Sequence, residues 1–208
     1  MKNAYEHMAE CAAESARVAR GVGAAPQAST ATPCQEWDLR ELVNHWVLYS
    51  AHGLEHRALR TPLPDELTAR DFTADADWPE RYAAQLERAV AAWSDPAAWE
   101  GTVDTGHGST PAPDIARMLV METALHGWDV ARATGQEFRL SGPAAAYLLE
   151  SVDGTAELYR RYDGFAGEVV LPGEASDFER ALALSGRDPR PVAARRVPAP
   201  ARDVGGPS

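Results

Sequence analysis

The sequence predicts an all-α fold: a four-helix bundle with short extra C-terminal helices and little or no β structure. Three observations predict it. Four long segments, near residues 4–22, 39–59, 79–94 and 111–134, repeat apolar and small residues at three- and four-residue spacing. Strand-like alternation is almost absent. The 111–134 segment carries Glu122 and His126 on a stripe that a bundle core normally fills with apolar side chains.

The first segment places Met8, Cys11, Ala12 and Val18 on or near one stripe and ends at Gly21 and Gly23. Cys11 on that stripe reads as a small buried hydrophobe. The second helix, Leu39 to about Leu59, opens with three agreeing signals. Asp38 is a fitting N-cap, Glu41 completes a capping box, and Trp37 with Leu42 can form a hydrophobic staple. His45, His52 and His56 share a stripe with Leu42 and Tyr49, since spacings of seven and eleven return to nearly the same helix face. His45 and His52 are still separated by about 10 Å of rise, too far to bind one ion directly.

Residues 61–77 read as a connecting loop. The third helix runs from Pro79 to about Ser94, with Tyr82, Leu86, Ala89, Val90 and Trp93 at helical spacing, and Asp95-Pro96 stops it. Thr102–Thr110 is short and Gly-rich, suited to a small hairpin or turn, with His107 as a solvated loop histidine. The fourth helix is expected from Pro111 to Thr134, capped by Ser109 or Thr110 and ended by Gly135. Its inner stripe reads Ile115, Met118, Leu119, Glu122, Leu125, His126, Asp129. A fifth helix is expected over Pro143–Tyr162, although Gly154 weakens its continuity. A short extended piece at Phe165–Pro172 and a last helix at Asp177–Leu184 follow. Residues 1–188 thus read as the bundle, and the Pro-, Ala- and Arg-rich stretch 189–208 as a disordered tail.

Composition removes several function classes. The formal net charge is −11 over 208 residues, and no stretch concentrates positive charge, which argues against a nucleic-acid or anionic-membrane surface. No apolar run is long enough to span a membrane, and the N-terminus lacks the apolar core of a signal peptide. The expectation is a cytoplasmic protein whose two cysteines, Cys11 and Cys34, are free thiols. There is no G-x-S-x-G, phosphate-binding Gly-rich loop or C-x-x-C.

Glu122 and His126 lie four residues apart, so their side chains sit one above the other on one face. A buried unpaired carboxylate is costly, and it neutralises or finds a partner. The spacing leaves two readings open: a buried Glu–His hydrogen bond, or two ligands of one metal ion with His45 as the third. Two histidines and one glutamate leave coordination positions open, the pattern of catalytic sites. Zn²⁺ suits the set, and Ni²⁺ or Fe²⁺ would also fit. Asp129, three residues from His126, can orient its ring or serve an interhelical hydrogen bond. Tyr49 and His52 are candidates to line the cleft. His52-Gly53-Leu54-Glu55-His56 matches the H-x-x-E-H pattern of inverted zinc proteases, but the large second catalytic half of such enzymes has no room here.

These residues also carry a resemblance. Thr32-Pro33-Cys34-Gln35-Glu36-Trp37-Asp38-Leu39-Arg40-Glu41-Leu42-Val43-Asn44-His45 resembles the entry to the second helix of the DinB-like bundle superfamily. In particular it is similar to the actinobacterial branch related to mycothiol-dependent maleylpyruvate isomerase. Glu122-Thr123-Ala124-Leu125-His126-Gly127-Trp128-Asp129-Val130-Ala131-Arg132-Ala133-Thr134-Gly135 resembles that branch's second motif, and Leu182-Ala183-Leu184-Ser185-Gly186-Arg187-Asp188-Pro189 its closing one. The resemblance implies a divalent metal, usually zinc, held by His45, Glu122 and His126, and a low-molecular-weight thiol such as mycothiol or bacillithiol as the metal's ligand. Trp37 and Trp128 match as well and read as packing residues. The expected function is a metal-dependent thiol S-transferase or isomerase acting on a small electrophile. A non-catalytic metal-binding bundle and a metal-assisted hydrolase are the alternatives. The isomerase's separate C-terminal domain has no expected counterpart after the bundle, so that isomerisation itself is not carried over. A homodimer is a further expectation, with no residue assigned to it.

Overall fold

The computed structural model describes residues 2–23, 30–34, 37–106 and 108–190. His107 and the tail beyond residue 190 lie outside the described residues, and with them the expectations made for both. Helix α1 (Lys2–Val22) buries Met8, Cys11, Ala12 and Val18, the predicted stripe. Burial pushes the Cys11 thiol up to about 12, so it behaves as an inert apolar group.

Helix α2 (Leu39–Val47) starts as expected. Asp38 accepts from the Glu41 amide at 2.9 Å, and Glu41 accepts from the Asp38 amide at 3.0 Å. It does not continue as one α-helix to Leu59. Leu48–Gly53 is a π-helical segment, followed by α3 (Leu54–Ala58). Within the π segment the Ser50 hydroxyl bonds back to the Trp46 carbonyl at 2.5 Å and meets Tyr82 Oη at 2.7 Å, which draws a carbonyl away from the regular ladder. A π turn is wider than an α turn and rotates each residue less. Seven residues therefore no longer return to one face, and His52 leaves the stripe of His45.

The connection carries α4 (Asp65–Thr68) and a 3-10 turn at Phe72–Ala74. Helix α5 (Trp78–Ala92) buries Trp78, Tyr82, Leu86 and Ala89. The Gly-rich stretch is a hairpin, β1 (Thr102–Asp104) and β2 (Ser109–Pro111), antiparallel with Val103 opposite Thr110. This overturns the expected cap. Ser109 and Thr110 belong to the ladder, and α6 (Ala112–Ala133) starts directly off Pro111 with no side-chain cap.

Helix α6 is the central element, touching α1 and α2. Its buried face is broader than the predicted stripe, because neighbours cover it from several sides. Ala116, Val120, Met121, Ala124 and Val130 are buried, whereas Met118 is exposed. Ser15 of α1 and Trp46 Nε1 of α2 both donate to the Thr123 carbonyl, at 3.3 and 3.1 Å. These two buried bonds brace α1 and α2 against α6. With α5 packed on α1 and α3, the four helical runs form the expected mostly-α, DinB-like bundle.

The expected fifth helix is two. It stops at Gly154, giving α7 (Gly142–Asp153) and α8 (Ala156–Arg161). Residues 165–172 form no strand, and Val169 is tied to Ala183 by one backbone bond of 3.0 Å. Helix α9 (Asp177–Leu184) packs on α7 and opens with a Ser176–Glu179 capping box. Among the described residues no helix is long and apolar enough to cross a membrane.

Helices α6 and α9 end alike. Gln136 N–H bonds Ala131 C=O at 2.8 Å around Gly135, and Arg187 N–H bonds Leu182 C=O at 2.8 Å around Gly186, both Schellman motifs. The two glycines have φ of +70° and +85°. A Cβ at Gly135 meets nothing within 4 Å, while one at Gly186 would lie 2.9 Å from the Ala166 backbone. Gly135→Ala should therefore cost about 1–2 kcal/mol for the left-handed conformation alone. Gly186→Ala should cost roughly 2–4 kcal/mol, since it adds an overlap with backbone. Urea unfolding midpoints of the two variants measure the difference.

Candidate metal centre

The packing of α2 on α6 brings His45 against Glu122 and His126. Nε2 of His45 lies 2.8 Å from Glu122 Oε1, and Nε2 of His126 lies 3.6 Å from the same oxygen. The two imidazole rings meet edge to face, with centroids 5.0 Å apart. One potential ligand atom from each residue lies within 4.8 Å of the other two. Despite the short approach of His45, no donor hydrogen is aligned on Oε1, which is buried without a hydrogen bond. Such an atom is costly unless something fills its lone pairs. Two imidazole nitrogens and an orphaned carboxylate oxygen converging on one point form a donor set that a divalent cation fits. Side-chain exposures of 25%, 24% and 15% for His45, Glu122 and His126 leave the point reachable by a small molecule. Burial by itself would raise the Glu122 carboxyl, but the facing His126 and His45 outweigh it and hold it below its ordinary value.

Behind His126 lies a second layer that fixes its ring. Asp129, with no exposed side-chain surface, accepts from His126 Nδ1 at 3.0 Å. That bond puts a proton on Nδ1 and sets the ring so that Nε2 faces Glu122. Asp129 is itself gripped by Arg187, through Nε to Oδ1 at 2.9 Å and Nη2 to Oδ2 at 2.8 Å. Cys34 Sγ donates to Oδ2 at 3.2 Å. Burial would raise the Asp129 carboxyl, but Arg187 and His126 prevail and hold it well below the carboxylate range. Burial and the adjacent Asp129 charge push the Cys34 thiol up, so it stays S–H and acts as a donor rather than a nucleophile. Cys34, His126 and Asp129 are a second group with metal-ligand spacing. In that group the carboxylate already holds a bidentate guanidinium, so a cation there would compete with Arg187 for both oxygens.

The remaining sequence candidates divide. Tyr49 is 41% exposed with its ring 4.6 Å from that of His45, at the mouth of the centre. His52 does not line this cleft. The π segment turns it the other way, where it stacks on Phe72 at 5.2 Å. The H-x-x-E-H residues do not converge: His56 pairs with Thr61 Oγ1 at 2.8 Å, and Glu55 accepts from Gln85 at 2.6 Å. Trp37 borders the centre, its ring 4.3 Å from that of His45 and 5.7 Å from that of His126. Trp128 is buried, with Arg132 above its ring. Sequence reasoning assigned no role to Cys34 or Arg187. Both sit inside the quoted motifs, and their position there was the one available signal.

Arg187→Met leaves a buried carboxylate without its main partner and should cost about 3–5 kcal/mol. Adding Asp129→Asn to it should restore a large part of that loss, a coupling read from a double-mutant unfolding cycle. A separate test concerns His52, whose imidazole burial lowers to about 4. A base with a depressed native value is protonated first in the unfolded chain, so stability falls as the pH drops from about 6.5 toward 4. His52→Gln should flatten that slope in urea midpoints measured across the window.

A family model described as the mycothiol maleylpyruvate isomerase N-terminal domain matches residues 8–131. Two relatives are the uncharacterized proteins MT0763 and Rv0738 of Mycobacterium tuberculosis, from strains CDC 1551 / Oshkosh and ATCC 25618 / H37Rv. Each is 27% identical over 175 residues, covering 80% of this chain and 88% of the relative. No solved structure gives a significant match. The matched span runs from α1 almost to the end of α6 and includes His45, Glu122, His126 and Asp129. The chain belongs to the mycothiol maleylpyruvate isomerase N-terminal domain family, a DinB-like family.

Proposed function

We propose that the chain binds one divalent metal ion through His45 Nε2, Glu122 Oε1 and His126 Nε2, and that it is an enzyme of small-thiol chemistry. The observation that carries this reading is the orphaned Oε1 of Glu122 beneath two imidazole nitrogens at 2.8 and 3.6 Å. Zn²⁺ suits two imidazoles and a carboxylate, and three protein ligands leave room for a substrate atom. A divalent cation here would lower the pKa of a coordinating thiol and hold it as the thiolate, the nucleophilic form.

The chain's own residues define the rest. Asp129 holds the Nδ1 side of the His126 ring and so turns Nε2 toward Glu122. Arg187 neutralises Asp129 and keeps that carboxylate from competing for the ion. Trp37 and Tyr49 flank His45 with their rings and limit water on that side. Membership of a mycothiol-related family supports mycothiol or a similar small thiol as the thiol substrate, with a small electrophile as its partner.

The test is metal content by elemental analysis, together with mycothiol-dependent consumption of a small alkylating electrophile. Wild type should carry about one metal per chain. His45→Ala, Glu122→Ala and His126→Ala should each lose the metal and the turnover while keeping the helical circular dichroism signal. Metal retained in all three variants would refute the ligand set. Metal lost without any thiol-dependent turnover in wild type would refute the enzyme and leave a binding bundle.

A further inference from the structure

A second concave site lies on the other side of α2, built by the stretch that the metal centre does not use. It is a cavity of about 240 Å³, and none of His45, Glu122 and His126 lines it. His52, Arg70, Phe72, Arg81, Gln85 and Arg88 do. The lining thus holds three guanidinium groups and no carboxylate, in a chain whose net charge is −11.

The walls are arranged before any ligand arrives. Phe72 is fixed by Asn44, whose Oδ1 accepts the Phe72 amide at 2.6 Å. His52 stacks on Phe72 with an interplanar angle of 25°, and the Arg70 guanidinium stands 5.5 Å from the ring centroid. The imidazole stacked on Phe72, with Arg70 over the phenyl ring, forms a flat wall with a cation beside it. Val47, Trp78 and Tyr82 add apolar surface. Opposite, Arg81, Gln85 and Arg88 recur at helical spacing on one face of α5. Gln85 is buried. Its Nε2 donates to Glu55 and its Oε1 accepts from Arg88, so Glu55 of the H-x-x-E-H stretch orients Arg88 through Gln85. Each guanidinium has a carboxylate behind it, outside the lining: Asp75 lies 3.1 Å from Arg70 and 3.3 Å from Arg81, Asp77 2.9 Å from Arg81, and Glu55 3.9 Å from Arg88. A guanidinium carries more N–H donors than these contacts take.

We infer that this cavity is a binding site for a small carboxylate with a flat, apolar body, distinct from the metal centre. The Arg fork geometry matches a carboxylate, and the Phe72–His52 wall matches a planar ring or conjugated chain. At about 30 Å³ per water, the volume equals roughly eight waters, room for an acid of about ten non-hydrogen atoms. Inorganic phosphate would satisfy the arginines but leave the aromatic wall bare. The inference does not depend on the metal ligands.

The test uses ¹⁵N-labelled full-length protein titrated with benzoate, with benzamide as its uncharged isostere and with inorganic phosphate. Benzoate should bind saturably and shift the Trp78 indole and Gln85 amide signals. Benzamide should bind at least about tenfold more weakly, and Arg70→Gln and Arg88→Gln should each weaken benzoate by about tenfold. Neither substitution should change metal content, since neither residue touches the metal centre. The inference is overturned by benzamide or phosphate binding as tightly as benzoate, or by no saturation below about 10 mM. It is equally overturned by shifts confined to residues around His45 and His126, or by unchanged affinity in both variants.

Discussion

Asp129 holds a carboxylate with no exposed side-chain surface at the point where three distant stretches of the chain meet. Taking such a charge out of water costs several kcal/mol unless partners surround it. The partners come from before α2, from α6 and from beyond α9: Cys34, His126 and Arg187. Each contact is directional, so the constraint is geometric as well as electrostatic. It fixes the closing turn after α9 against α6, seats the strand of chain leading into α2, and sets which nitrogen of His126 faces the cleft. One interaction therefore joins the closure of the fold to the orientation of the candidate site. Arg187 lies beyond the span that matches the family model, so the centre is completed by a part of the chain outside that match.

The π segment of the second helical run has a comparable consequence. Ahead of it His45, and at its start Tyr49, face the candidate metal centre. At its end His52 lines the arginine-rich cavity, and just beyond it Glu55 accepts from Gln85 of α5. A regular α-helix would have kept His45 and His52 on one stripe. The wider turns let one helical run serve two concave surfaces, one holding a carboxylate between imidazoles, the other presenting guanidinium groups beside an aromatic wall.

What could be read beforehand was local. The Asp38–Glu41 capping box is a four-residue pattern and forms as read. Glu122 and His126 sit on one face because α6 is regular, and four residues of a regular helix always bring side chains together. Periodicity of large side chains marks only one stripe of α6, whereas the broad cover at Ala116 and Ala124 comes from neighbouring helices that the local sequence does not encode. Ser109 and Thr110 have cap-forming side chains, yet the hairpin claims their backbone, and tertiary pairing overrides the local preference. Nothing in Leu48–Gly53 breaks helical periodicity, so the π segment, and with it the new direction of His52, had no local signature. Cys34 and Arg187 reach Asp129 across 95 and 58 residues, a juxtaposition that only the folded chain creates.

The central claim is that His45, Glu122 and His126, and not Cys34 with Asp129, supply the metal's ligands. X-ray absorption at the zinc edge of the zinc-loaded protein, without added thiol, tests it most directly. The account predicts only nitrogen and oxygen scatterers at about 2.0–2.2 Å, with the outer-ring signature of two imidazoles. A sulfur scatterer at about 2.3 Å would place Cys34 on the metal and contradict it.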